Sequence, residues 1–155
     1  MKTNITSSRP KIARNFIPLL MMLCLLSSAY AEDSLVGTHS ASNYFPGEIT
    51  TITSKIEFSE QPTAIGMVVT LPAGWRFDGV SGVHAPDITQ ESDKNDTIEF
   101  AWITIPQGSF EFDYYVLAPN HEAADQKISS KILYRRDAGE LTEDVLPSPL
   151  ILTRP

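Results

Sequence analysis

Three histidines, a few loop serines and one carboxylate-rich stretch are the residues with chemistry to offer. His39, His84 and His121 lie in separate segments, with no pair at i, i+2 or i, i+4. The spacing that turns two imidazoles toward one zinc ion is therefore missing, and each histidine reads as a loop residue. Ser81 sits in Val80-Ser81-Gly82 with His84 close behind, but no Gly-x-Ser-x-Gly elbow lifts a serine out of a strand-to-helix turn. A glycosidase pair needs two carboxylates held about 5–9 Å apart in a cleft lined by sugar-binding aromatics. Here most aromatics occupy alternating, core-type positions. The single cysteine, Cys24, falls in an apolar N-terminal run, so neither a disulfide framework nor a multi-cysteine metal site is available. These residues predict a protein that is not an enzyme.

A better ligand set is formed by Asp87, Glu91, Asp93, Asn95 and Asp96, hard oxygen donors of the kind calcium takes. Asp93-Lys94-Asn95-Asp96 looks superficially like a calcium loop, but it lacks the glycine and terminal glutamate at their required spacing. The competing reading is a solvated acidic loop. No cofactor other than calcium is suggested. Asn95-Asp96-Thr97 also matches the acceptor motif for N-linked glycosylation.

The elements that must carry these residues show period two, the mark of strands with one buried face. Ile52, Ser54, Ile56 and Phe58 alternate, as do Ile65, Met67, Val69 and Leu71. The same holds for Ile98, Phe100 and Trp102, for Phe110, Phe112, Tyr114 and Val116, and for Ile128, Ser130, Ile132 and Tyr134. Gly- and Pro-containing turns punctuate them, from Pro46-Gly47-Glu48 to Asp137-Ala138-Gly139-Glu140. The last of these predicts a tight hairpin joining Lys127–Arg135 to Glu140–Val145. A helical turn is expected only near His121 to Asp125, and Ala85 to Asp96 reads as the longest irregular loop. Seven to nine short strands at this spacing predict an all-β, immunoglobulin-like antiparallel sandwich. Trp75 and Trp102 are expected in its core, and the strands near the chain ends, Leu35 to Tyr44 and Glu140 to Val145, at its sheet edges.

Residues 1–31 read as a secretory signal. Lys2, Arg9, Lys11 and Arg14 form a basic start, Phe16 to Leu26 an apolar run too short to span a bilayer, and Ala29 and Ala31 fit the small subsites of a signal peptidase. Cleavage after Ala31 would leave one domain, residues 32–155. It would remove four basic residues and no acidic one, taking the net charge from −7 to −11. The expected product is an exported monomer, periplasmic or extracellular, with no membrane span. Such an acidic chain does not suit nucleic acid.

One surface stands out. Tyr115 and Leu133 fall opposite the buried positions of their strands, and Lys131 and Arg135 flank Leu133. Together Tyr115, Lys131, Leu133 and Arg135 predict a patch for a protein or glycan partner, with the two cations steering an acidic one.

The block Leu71-Pro72-Ala73-Gly74-Trp75 resembles the Leu-Pro-x-Gly-Trp segment of immunoglobulin-like and cohesin-like β-sandwich domains in bacterial exported proteins. Tyr44-x-Pro46-Gly47-Glu48 before it, and Glu99-Phe100-Ala101-Trp102 and Phe110-x-Phe112-x-Tyr114-x-Val116 after it, agree in order. The resemblance implies a non-catalytic module for adhesion, assembly or envelope-associated binding. The runner-up is a calcium- or carbohydrate-binding sandwich, and a small glycoside-active enzyme comes third.

Overall fold

A computed structural model describes residues 35–92, 96–121, 124–137 and 139–155. The expected signal segment, with Ala29 and Ala31, lies outside the described residues. The described residues form ten strands: β1 (Leu35–Ala41), β2 (Ile49–Phe58), β3 (Ala64–Thr70), β4 (Arg76–Ser81), β5 (Ile88–Ser92), β6 (Thr97–Ala101), β7 (Phe110–Leu117), β8 (Gln126–Arg136), β9 (Gly139–Leu146) and β10 (Leu150–Leu152). No helix occurs among the described residues, including the described part of the stretch from His121 to Asp125.

Strand order is β4-β7-β2-β1-β9-β8-β3-β6-β5, with β10 paired to the start of β8. The ladder folds back on itself at β9, so β4-β7-β2-β1 makes one layer and β8-β3-β6-β5 the other. Aromatic rings interlock between them. Phe100 on β6 meets Phe112 on β7 at 5.5 Å and Tyr114 at 5.6 Å, and Phe77 on β4 meets Phe100 at 5.8 Å. The alternation read from the sequence holds: Ile52, Ile56, Met67, Val69, Ile98, Phe100, Phe112, Tyr114, Ile128 and Ile132 are fully or almost fully buried. Trp75 and Trp102 are buried as expected. This is an all-β, immunoglobulin-like sandwich. Edge-to-face packing of its rings adds to the hydrophobic gain from burying them.

The segment 71–75 makes a turn for a physical reason. The Pro72 carbonyl accepts a hydrogen bond from Trp75 N at 3.1 Å, and the third turn position, Gly74, takes φ +80°. Glycine adopts that angle without the steric cost of a Cβ. The turn drops Trp75 into the core against Tyr44, ring centroids 5.1 Å apart.

Three expectations are corrected. Strand β1 is interior, because the end of β9 joins it in parallel (Gly37 opposite Val145, Thr38 opposite Leu146) while β2 holds its other side. The outermost strands are β4 and β5, and the first part of β9 pairs with β8 alone. The Ala85–Asp96 stretch is not one irregular loop: Ile88–Ser92 pairs with β6. Its exposed Ile88, Thr89 and Gln90 show no alternation, because an edge strand outside the core is held by backbone hydrogen bonds rather than by a buried face. Finally, His39 is a core residue of β1, only 3% exposed, and not a loop residue.

Candidate interaction surfaces

The four residues expected to form one patch are divided between two faces. Lys131, Leu133 and Arg135 alternate outward on β8, whereas Tyr115 points outward from β7 in the opposite layer. Period two says which residues share a face of their own strand. It does not say to which layer each strand belongs.

The β8 face is built by register. Leu133 lies opposite Gly66 of β3, Gly66 opposite Ala101 of β6, and Ala101 opposite Ile88 of β5. One row across four strands is therefore apolar, with exposed Leu133 and Ile88 standing at either end of a floor made by Gly66 and Ala101. Gly66 has a local reason to be glycine, since a Cβ there would meet the Phe100 carbonyl oxygen at 3.0 Å. At the Leu133 end the row opens into a shallow cavity of about 290 Å³, lined by Ala64, Gly66, Leu133, Leu141 and Thr142, with Arg135 and Glu140 at the rim.

The cations beside Leu133 do not make a positive patch. Strand β9 sets Asp144 opposite Lys131 and Glu140 opposite Arg135. Lys131 Nζ lies 3.8 Å from Asp144 Oδ1, and Arg135 pairs with Glu140. The expected steering of an acidic partner is thereby corrected: cross-strand acids offset both charges, and what remains is an apolar row bordered by exposed ion pairs.

Of the proposed calcium ligands, Asp93 and Asn95 lie outside the described residues, and the Glu91 side chain is not described. Asp87 has a structural task. Its Oδ2 accepts hydrogen bonds from Ile103 N at 2.7 Å and Thr104 N at 3.2 Å, tying two loops together. Next to it, Trp102 Nε1 donates to the His84 carbonyl at 2.9 Å. Asp96 is exposed, with φ +50°, and its carbonyl accepts from Leu71 N at 2.8 Å. Among the described residues no group of three or more His, Cys, Asp or Glu side chains is placed to hold a metal.

The core contains a polar site that the sequence reading missed. His39 Nε2 donates to the Pro147 carbonyl at 2.8 Å, and a carbonyl can only accept, so the ring is the Nε2–H tautomer. Nδ1 is then free to accept from Ser130 Oγ, 3.4 Å away on β8. Burial lowers the His39 pKa below the ordinary histidine value, partly offset by the bond to Pro147. Tyr114, fully buried, has its phenol pushed up by desolvation. Neither arrangement activates a nucleophile; the His39 bonds tie β1 to the residue after β9 and to β8. The signal was present as Leu35-x-Gly37-x-His39, an alternation weakened by its glycine.

No known family model matches this sequence, and no curated protein matches it. The fold has clear relatives among solved structures. The C-terminal fragment of a major pilin of Streptococcus agalactiae aligns with TM-score 0.60 at 8% identity, over 78% of this chain and 56% of that one. The full-length major pilin SpaD of Corynebacterium diphtheriae aligns with TM-score 0.62 at 11% identity, over 76% of this chain and 35% of that one. The cohesin module of a family 33 glycoside hydrolase from Clostridium perfringens aligns with TM-score 0.54 at 11% identity, over 77% of this chain and 97% of that module. The chain thus spans about half of one pilin fragment and about a third of the other pilin. At these identities the likeness is one of fold. Among the described residues no helix is long and apolar enough to cross a membrane.

Proposed function

We propose that this chain is an exported, non-catalytic interaction module that docks a protein partner on the outer face of β8-β3-β6-β5. The observation that carries the reading is the apolar row Leu133–Gly66–Ala101–Ile88, with its cavity beside Leu133. A floor of Gly and Ala between two exposed aliphatic residues suits a protruding apolar side chain of a partner, and hot spots of interfaces sit in such pockets. The ion pairs Lys131–Asp144 and Arg135–Glu140 border the row and would set orientation more than affinity. Export rests on the signal-like residues 1–31 with Ala29 and Ala31, and the pilin and cohesin neighbours favour a role outside the cytoplasm.

A pull-down from the envelope fraction tests this reading with three baits: the mature chain, Leu133→Glu, and Thr51→Glu on the opposite layer. The expected result is a partner retained by the mature chain and by Thr51→Glu but lost by Leu133→Glu, with all three baits melting alike. Equal capture by Leu133→Glu would move the site off this face. The acidic loop from Asp87 to Asp96 remains the second reading, as a calcium site. It is tested by titrating calcium into the mature chain and into Asp96→Ala, with heat absorbed or released only by the former.

A further inference from the structure

Strand β4 breaks its own alternation beside Tyr115. The register between β4 and β7 shifts between Phe77 and Gly79, so Asp78 is an extra residue. Phe77 and Val80, three positions apart, consequently both pack against the core, and Asp78 and Gly79 are both left on the outside. Such bulges re-aim side chains, and a glycine in one marks a place where something approaches the backbone. Here the first thing to approach is Tyr115. Gly79 is its direct cross-strand partner, and a Cβ at position 79 would lie 4.0 Å from Tyr115 Cδ2. The Tyr115 hydroxyl reaches past it to Ser81 Oγ at 2.6 Å. The half-buried ring thus lies beside the glycine and reaches across β4 to Ser81.

On its Thr51 and Asp113 sides the ring is flanked by hydroxyls and a carboxylate, and on the other side by Leu117, two residues along β7 on the same face. Thr51 is opposite Tyr115 on β2, and Asp113 is two residues along β7 on the same face. Asp113 Oδ1 accepts from Thr53 Oγ1 at 2.7 Å, and its Oδ2 is engaged by no described residue. Adjacent strands stand about 4.8 Å apart, and residues i and i+2 about 7 Å apart, so ring, Thr51 hydroxyl and Asp113 carboxylate bracket an area the size of one pyranose ring. From these placements we infer that Tyr115, with Gly79, Ser81, Thr51 and Asp113, forms a stacking subsite for a neutral, β-linked glycan. The negative face of the ring attracts the C–H face of a pyranose, and an ionised carboxylate is the strong acceptor for sugar hydroxyls. Asp78 and Asp113 beside the ring disfavour an anionic chain, whereas the charge of Glu111 is offset by Lys55 opposite it, and Arg76 lies at the start of β4. A β-linked chain of equatorial sugars is an extended ribbon that can lie along an open sheet face next to the outermost strand β4. The site is separate from the Leu133 face and does not depend on it.

The test is calorimetric titration of the mature chain with cellohexaose and with fully acetylated chitohexaose, using polygalacturonate as the anionic control and amide chemical shifts to map the contact. At least one hexamer is expected to bind with Kd of order 0.1–1 mM, shifting the amides of Gly79, Ser81 and Tyr115. Tyr115→Ala should weaken it by about tenfold or more, Asp113→Ala by about fivefold, Tyr115→Phe by less than about threefold, and Leu133→Glu not at all. Asp113→Ala keeps the ring in place and covers the case in which Tyr115→Ala does not fold. The inference is overturned if neither hexamer binds below about 10 mM, if polygalacturonate binds as tightly as the hexamers, if the shifts map to the Leu133 face, or if a folded Tyr115→Ala variant binds like the parent.

Discussion

His39 donates from Nε2 to the carbonyl of Pro147 at 2.8 Å, joining β1 to the residue that follows β9 across 108 positions of sequence. Ser130, 3.4 Å from the other ring nitrogen, brings β8 to the same point. A histidine held neutral at the junction of two sheets has consequences for how the domain responds to acid.

Burial lowers the His39 pKa in the folded state below its ordinary 6.5. In the window between the two values the unfolded chain binds a proton that the folded chain refuses, so acid favours unfolding. The contribution of His39 is complete above pH 6.5 and is lost as pH falls from there toward the lowered folded value. The urea midpoint should drop through this window and the drop should flatten in His39→Gln, which cannot titrate. His39→Ala should cost about 1–3 kcal/mol at pH 8, since the Pro147 carbonyl and Ser130 lose their partner. An identical pH profile for His39→Gln and the parent would remove His39 as the cause.

Trp102 rests on Phe110 and Phe112, ring centroids 5.3 Å and 5.2 Å away, and its indole N–H holds the His84 carbonyl. Trp102→Ala deletes a large buried aromatic and should destabilise by about 3–5 kcal/mol. Trp102→Phe keeps much of the packing and should lose less. Equilibrium denaturation followed by circular dichroism gives both values.

Asp87 is the residue for which a metal role and a structural role predict different results. One carboxylate oxygen accepts from the amides of Ile103 and Thr104, so Asp87→Ala should cost about 1–2 kcal/mol without any metal present. Hydrogen exchange at those two amides should accelerate. Asp87→Asn keeps an acceptor and should retain part of the stability. If the loss appears only when calcium is supplied, the structural account fails.

The strands that were legible in the sequence are those with one clean buried face: Ile98 and Phe100, Phe110 to Val116, Ile128 to Tyr134. Their alternation follows directly from burying every second side chain. Strand β5 left no such trace, since its register with β6 is held by backbone groups that every residue carries. Strand β1 was blurred because its inner positions include Gly37 and His39. The expected patch is divided between two layers for a different reason. Tyr115 and Leu133 each read correctly as outward-facing, but whether they meet depends on strand order, and order is decided by long-range pairings such as Gly37 with Val145. Lys131 and Arg135 read as free cations because nothing local announces that β9 will set Asp144 and Glu140 opposite them.

Gly37 makes that long-range pairing possible, and it supplies a test of the sandwich itself. It faces inward from β1 where β9 crosses from one layer to the other, and a Cβ there would fall 2.3 Å from Ile132 Cδ1 and 3.1 Å from Val145 Cγ2. Ile132 and Val145 are buried, so neither can swing away into solvent. Gly37→Ala should therefore destabilise by about 1–3 kcal/mol through overpacking, even though alanine normally gains over glycine by restricting the unfolded chain. Shortening the clashing residue should reverse part of this. Ile132→Val removes the Cδ1 methyl and alone should cost about 0.5–1.5 kcal/mol. In the double variant Gly37→Ala with Ile132→Val the added methyl occupies space the removed one vacates, so its total cost should fall below the sum of the single costs by about 1 kcal/mol. Strict additivity in that cycle would mean that β1 and β8 do not meet across the core at this point, and the packing of the two layers there would have to be redrawn.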